Sequence, residues 1–241
     1  MKTVHITLQG KGGVGKSFVS ALLAQYLADT APPVICIDTD PVNATLAGYK
    51  ALEVERIELM QDGTFQERRF DDMMERVLAV DANVVIDNGA SSFIQLSSYM
   101  NENNAWAMFE DYDKNVVVHT VVTGGQALRD TLMGFKALAE QLPERVALVV
   151  WLNEFFGPIE AADTGFEQMS VYEANRERVA GLIRISKQSE DTFGKDMGLM
   201  LDKKLTFAEA LESDDFKLMA RSRLRRVRDA LFGAIKSTQV I

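Results

Sequence analysis

The stretch LQGKGGVGKS, residues 8–17, decides how the rest of the chain is read. Gly10, Gly15, Lys16 and Ser17 satisfy the spacing G-x-x-x-x-G-K-[S/T], the pattern of a loop that cradles phosphate. Glycines let the backbone bend until several N–H groups converge on phosphate oxygens. A helix beginning near Ser17 adds its positive end at the same point. Lys16 can then reach the β- and γ-phosphates, and the Ser17 hydroxyl can ligate Mg2+. The surrounding pattern is the one this loop requires: an apolar strand at 4–8 before it and an Ala/Leu-rich helix at 17–28 after it. The expected nucleotide contacts are therefore Gly10, Lys11, Gly12, Gly13, Val14, Gly15, Lys16, Ser17 and Phe18. Lys11 is the odd member, because one lysine already serves the nucleotide of its own chain.

Outward from the loop, short β-branched runs alternate with longer helical patterns. Strands are predicted at 4–8, 34–37, 84–87, 116–122, 146–152 and 182–185, with helices at 17–28, 127–142 and 214–235. Near-continuous apolar strands separated by helices predict an α/β fold, a doubly wound and mostly parallel sheet buried on both faces. Residues 51–69 read loosely as a strand and turn, and 153–165 as a surface loop. No Ser/Gly linker, repeat or low-complexity run marks a boundary, so 1–241 is expected to form one domain.

Composition narrows the function. The 241 residues hold 26 Lys plus Arg against 35 Asp plus Glu, a net charge of -9, so contact with nucleic acid needs a local basic patch. The longest apolar run, VALVVWL at 146–152, is far below a membrane span. No leader is visible at the N-terminus, and the single cysteine, Cys36, excludes a disulfide framework. These features point to the cytoplasm.

The run KGGVGKS resembles the deviant Walker A signature of the ParA/MinD ATPases. The resemblance implies that Lys11 reaches across a homodimer to the phosphates of the partner's ATP, so that two nucleotides are sandwiched between two chains. It also assigns the later motifs. In CIDTDPVNAT, Asp38 would support Mg2+ and Asp40 would position the attacking water. Turn and capping chemistry is the alternative for an Asp-x-Asp-Pro sequence. In NVVIDNGAS, Asp87 would hold the Mg2+ water shell. The family places prolines after this aspartate, whereas Asn88, Gly89 and Ala90 stand here, so the geometry of that segment does not follow from the resemblance. Asn153, ending VALVVWLN, would read the adenine edge. Catalysis is thus assigned to Lys11, Lys16 and Asp40, the metal to Ser17, Asp38 and Asp87, with ATP/ADP and Mg2+ as cofactors. Within the family the motifs look most like the plasmid conjugal-transfer branch, which implies a protein partner in a transfer or partition machinery. The rivals are a metabolic ligase of the dethiobiotin-synthetase type, against which Lys11 argues, and a nucleotide-responsive scaffold with negligible hydrolysis.

Other features read as structural. His5 and His119 lie in predicted strands without metal-ligand spacing, and Cys36 reads as a small buried hydrophobe. One cysteine is too few for an iron–sulfur cluster. Met73, Met74 and Met219 are expected to fill the core. The aromatics of NENNAWAMFEDY are expected to pack under a loop. In the last helix Arg221, Arg225 and Arg228 fall on one stripe beside an apolar face of Phe216, Ala220, Leu224, Val227 and Leu231. That stripe is either the solvated edge of a docked helix or a DNA-phosphate contact. The core-matched apolar face argues against a membrane-surface helix.

Overall fold

Valine and isoleucine pack well on a pleated surface, and the runs rich in them form the strands of a parallel sheet. The computed structural model describes residues 1–61, 63–161 and 164–241. Its main sheet contains β1 (Lys2–Thr7), β2 (Val34–Asp38), β3 (Glu55–Arg56), β4 (Asn83–Asp87), β5 (Lys114–Thr123), β6 (Ala147–Asn153) and β7 (Val179–Ile185). Their order is β7-β6-β5-β1-β4-β2-β3, and every pair is parallel.

Side chains on a strand alternate between faces, and here both faces are buried. Val84, Ile86, Val116, Val118, Leu148 and Val150 face one core. The intervening Val85, Val117, Val149 and Trp151 face the other. The first core is closed by α2 (Glu67–Ala79), α3 (Phe93–Glu102), α4 (Ala105–Asp111) and α5 (Leu128–Gln141). Four-residue α6 (Ser170–Glu173) packs at its margin through Val171 and Tyr172. The second core lies under α1 (Lys16–Thr30), α7 (Lys195–Asp202), α8 (Phe207–Glu212) and α9 (Leu218–Ser237). A fully buried Leu, Val or Phe contributes about 1.5–3 kcal/mol relative to exposure, which is why aliphatic residues dominate these runs.

Several sequence expectations need correction. Residues 51–69 hold a 3-10 turn, edge strand β3, a small hairpin of Met60–Gln61 with Thr64–Phe65, and the start of α2. Residues 153–165 begin with a 3-10 turn and end in a second hairpin, Glu160–Ala161 with Thr164–Gly165. Parts of both predicted segments, at 62 and 162–163, lie outside the described residues. The last helix runs over Leu218–Ser237 rather than 214–235. Its start is delayed because Ser213, the C-cap of α8, and Lys217, the N-cap of α9, both have extended backbone, which keeps 213–217 out of either helix. Buried Phe216 therefore belongs to the connection, and Met219, expected in the core, is exposed. Of the aromatics of 101–112, expected under a loop, Trp106 and Phe109 are instead buried in the first core from helix α4 and Tyr112 is exposed, while Met73 and Met74 lie in the first core as expected. No helix among the described residues is long and apolar enough to cross a membrane.

Candidate functional site

In an open parallel sheet, ligands gather at the carboxyl ends of the strands where the connections diverge. Strands β1, β2, β4 and β6 end at Thr7, Asp38, Asp87 and Asn153, so the predicted motifs converge on one edge. From β1 the chain enters the glycine loop. Gly13 and Gly15 have φ of 74° and 106°, the left-handed region in which a side chain is strained. At Gly15 a Cβ would also come within 2.8 Å of the Asn153 amide nitrogen. Helix α1 then starts at Lys16, with Gly15 as its N-cap.

Lys16 is only 7% exposed, and its ammonium donates to the Lys11 carbonyl at 3.1 Å. Burial pulls its pKa down, while Asp87 and Asp40 pull it back up. A cavity of about 520 Å³ opens above it, lined by Gly12, Gly13, Ser17, Asp40, Asn43 and Tyr49 among others. Asp87 is buried, close enough to Lys16 for their charges to interact. Ser20 Oγ stands 3.1 Å from Asp87 Oδ1 and 2.8 Å from Thr7 Oγ1. The other carboxylate oxygen, Asp87 Oδ2, is buried with no hydrogen-bond partner among the described residues. Burial pushes the Asp87 carboxyl up to about 7, with Asp38 adding to the rise against Ser17, Ser20 and Lys16. An orphaned buried oxygen next to two serine hydroxyls fits the hydration shell of a hard cation, and the loop of backbone N–H groups fits phosphate.

Asp38 and Asp40 organise the loop after β2. Asp38 is fully buried; its Oδ1 accepts from Asp40 N and its Oδ2 from Ala47 N, both at 2.9 Å. Burial raises its pKa despite those backbone donors. Asp40 Oδ1 accepts from Val42 N at 2.9 Å and Asn43 N at 3.2 Å. The turn-capping chemistry is therefore present in both aspartates, and Asp40 also faces the cavity.

The remaining predicted residues divide. The Asn153 amide donates to the Val14 carbonyl at 2.9 Å and accepts from Phe155 N at 3.2 Å, fastening the end of β6 to the glycine loop. A second cavity of about 660 Å³ lies beyond it, between Phe18, Phe155 and Phe156 on one side and Met197, Leu201 and Leu231 on the other. Lys11 points away from Lys16 and pairs with Asp130 on the first turn of α5 at 2.7 Å, with both side chains about half exposed. The arginines lie elsewhere. Arg221 donates to the Ser213 carbonyl at 2.8 Å and Arg228 pairs with Asp229, which leaves Arg225 as the exposed member.

Sequence reading missed Gln9, Ser20 and Asp130. Gln9 is fully buried, donates to the Val121 and Thr131 carbonyls, and fills a notch where a Cβ on Gly134 would come within 2.1 Å of its Oε1. No spacing rule links residues this far apart. Ser20 was legible: four residues after Lys16, it lies one helical turn along α1.

Over residues 6–215 the sequence matches the family described as the CobQ/CobB/MinD/ParA nucleotide binding domain. It is 47% identical over 241 residues to two Escherichia coli proteins named Protein TraL, covering 100% of each chain. Among solved structures, the Aquifex aeolicus MinD cell division protein aligns with 96% of this chain and 97% of its own, at 14% identity and a TM-score of 0.48. A plasmid partition protein from Borrelia burgdorferi aligns with 85% of this chain and 96% of its own, at 16% identity and a TM-score of 0.47.

Proposed function

This chain belongs to the CobQ/CobB/MinD/ParA nucleotide-binding family, and from that premise we propose that it is a Mg2+-dependent ATPase whose ATP-bound form is a homodimer. The observation that carries the reading is the placement of Lys16, at the start of α1 after the glycine loop, near the unpartnered oxygen of Asp87 at the end of the strand paired with β1. Gly10, Gly12, Gly13, Val14, Gly15 and Phe18 would surround the nucleotide, with Asn153 holding the loop beside the adenine. Ser17, Asp38 and Asp87 would support Mg2+, which supplies charge neutralisation of the phosphates. Asp40 would orient the attacking water. Lys11 supports the dimer because its ammonium is turned outward onto a surface carboxylate instead of into its own cavity.

Hydrolysis would return the dimer to monomers and so act as a switch. The resemblance to TraL over the full chain supports a role in plasmid conjugative transfer or maintenance, in the cytoplasm, as one domain acting with a protein of that machinery. Contact with DNA would rest chiefly on Arg225, flanked by Arg221 and Arg228. Salt-sensitive DNA binding by the ATP-loaded protein, lost when all three become Glu with ATP affinity unchanged, is the expected result.

The main test is sedimentation with ATP and Mg2+ of Asp40→Ala and of Asp40→Ala with Lys11→Ala. Blocking hydrolysis keeps a dimer from decaying during the run. The first protein should dimerise with ATP and not with ADP, and the second should remain a monomer while still binding ATP. Equal behaviour of the two would end the sandwich reading.

A further inference from the structure

The segment after Asp87, where the sequence reads Asn88-Gly89-Ala90-Ser91-Ser92, is bonded to the segment after Asp38 by side chains no motif assigns. Asn88, Thr39 and Ser92 are all buried, at 0%, 1% and 0% exposure. Thr39 Oγ1 and Ser92 Oγ lie 3.1 and 3.0 Å from Asn88 Oδ1, and Asn88 Nδ2 donates to the Gly89 carbonyl at 3.0 Å. Each hydroxyl has one proton, so its direction can be worked out. Thr39 Oγ1 is also 3.1 Å from the Asp87 carbonyl, but that carbonyl already accepts from Thr39 N at 2.9 Å. Ser92 Oγ is also 3.2 Å from the Gly89 carbonyl, which already accepts from Asn88 Nδ2 and Ser92 N. Both hydroxyl protons are therefore best used on Asn88 Oδ1, filling its two lone pairs. Flipping the amide would set its oxygen against the Gly89 carbonyl, so the orientation is fixed.

A second contact joins the same two segments without hydrogen bonds. A Cβ built on Gly89 would come 2.9 Å from Asp40 Oδ1, 2.9 Å from Pro41 Cδ and 3.0 Å from Asp40 Cα. The backbone at Gly89 is thus seated directly on Asp40, one residue after the Thr39 bond. Bond and seat act on the same short stretch.

We propose that Asn88 is a positioning residue: with Thr39, Ser92 and the bare Cα of Gly89 it locks the 87–92 segment onto the 38–41 segment and so holds Asp40 in place for hydrolysis. This rests on the reading of Asp40 given above. A network that is fully satisfied and shielded from water fixes one arrangement, and one that loses a partner leaves a buried polar atom unpaired. Removing either hydroxyl should therefore loosen both segments together.

The test measures amide exchange and ATP turnover separately in Thr39→Val, Ser92→Ala, Gly89→Ala and the conservative Thr39→Ser. Exchange is measured on the full chain without added nucleotide. Thr39→Val should raise exchange about fivefold or more at 89–93 as well as at 40–47, corresponding to loss of one net hydrogen bond of about 1 kcal/mol. Gly89→Ala should reproduce this by wedging the seat apart, and Thr39→Ser should restore wild-type exchange. In turnover, Thr39→Val and Ser92→Ala should lower kcat with KM for ATP within about twofold, because the lock acts through Asp40 and not on the phosphate loop. Combining Thr39→Val with Asn88→Ala should cost little more than Asn88→Ala alone. If Thr39→Val raises exchange only at its own segment, or the double variant is additive, the lock does not exist. If exchange couples as expected but wild-type protein never turns over ATP, the lock stands and the hydrolysis reading falls. Coupled exchange with kcat unchanged in every variant would show that the lock does not serve Asp40 and overturn the proposal.

Discussion

The parallel sheet carries buried polar groups at two heights that behave in opposite ways. At the carboxyl rim, Lys16 at the start of α1 lines a cavity, and Asp87 at the end of β4 keeps one buried carboxylate oxygen without a partner among the described residues. Halfway down β1 and β5, His5 and His119 are buried in a relay whose far end, His5 Nε2, has no partner among the described residues. The Trp151 N–H can only donate, and it meets His119 Nδ1 at 3.0 Å. His119 must then carry its proton on Nε2, which stands 3.1 Å from His5 Nδ1, so His5 carries its own on Nε2. Both rings are fixed neutral. Burying a charge is tolerated at the rim because a ligand can compensate it. In the middle of the sheet nothing can, so the same chain keeps those polar groups uncharged.

The difference predicts opposite responses to pH, and this is the largest effect expected. Burial holds His5 down to about 3 and His119 well below its ordinary 6.5. The unfolded chain therefore takes up protons below about 6.5 that the folded chain refuses. Stability from this pair is present above 6.5 and is lost as pH falls toward 3, by about 1.4 kcal/mol per pH unit per histidine. Asp87 has the reverse sign. Its folded pKa of about 7 exceeds the ordinary 3.8, so its contribution is present below 3.8 and is lost as pH rises through 7. Urea unfolding between pH 8 and 4 should show a Asp87→Asn protein more stable than wild type at pH 8, and falling more steeply on acidification. Parallel curves for the two proteins would erase the contrast between rim and middle.

The second prediction concerns the ligand at the rim. Lys16→Ala should abolish Mg2+-ATP binding, because the charge beside the β/γ-phosphates is lost while the fold keeps its glycine loop. Near-normal affinity of a folded Lys16→Ala protein, measured with a fluorescent ATP analogue, would remove the rim's functional reading and leave only a buried lysine.

How much of this contrast could be read in advance depends on the range of the forces. The glycine loop, Asp38 and Asp87 were legible because each needs only its own strand and the turn after it. The strands themselves were legible because a sheet buried on both faces needs unbroken apolar runs. What was not legible was pairing across the sheet. His5 with His119, Gln9 against Gly134 and Thr39 with Asn88 are separated by 114, 125 and 49 residues of chain (119 − 5, 134 − 9, 88 − 39). Their meeting is set by strand order and not by local spacing. Edge strand β3 was blurred for another reason: two residues paired on one side carry almost no pattern. The start of α9 was misplaced because polar residues 213–215 suit a helix as well as the turn that α8 imposes.

A third prediction separates binding from chemistry at the rim. Asp40→Ala should leave ATP bound and lower turnover by on the order of tenfold or more, since positioning a water acts in the transition state. Its capping of Val42 N and Asn43 N is also lost, so a comparison with Asp40→Asn is needed. The asparagine keeps an acceptor for the turn and loses the charge. Turnover restored by Asp40→Asn would assign Asp40 to the turn alone.

The smallest effect belongs to the rim's outer pair, Lys11 with Asp130. Both side chains are about half exposed, so water and salt screen their attraction, although the contact is short at 2.7 Å. Lys11 holds the Asp130 carboxyl below its usual range, first through the hydrogen bond and then through its charge. Exposure nonetheless keeps the contribution of such pairs to stability small. Asp130→Ala should therefore shift the urea midpoint little, and the shift should shrink further in high salt. The buried relay behaves differently, because salt does not reach His5 or His119. A large, salt-independent loss of stability in Asp130→Ala would mean that the pair anchors the glycine loop to α5. Lys11 would then be a structural residue held in place, and no longer a surface ammonium available to a second copy of the chain.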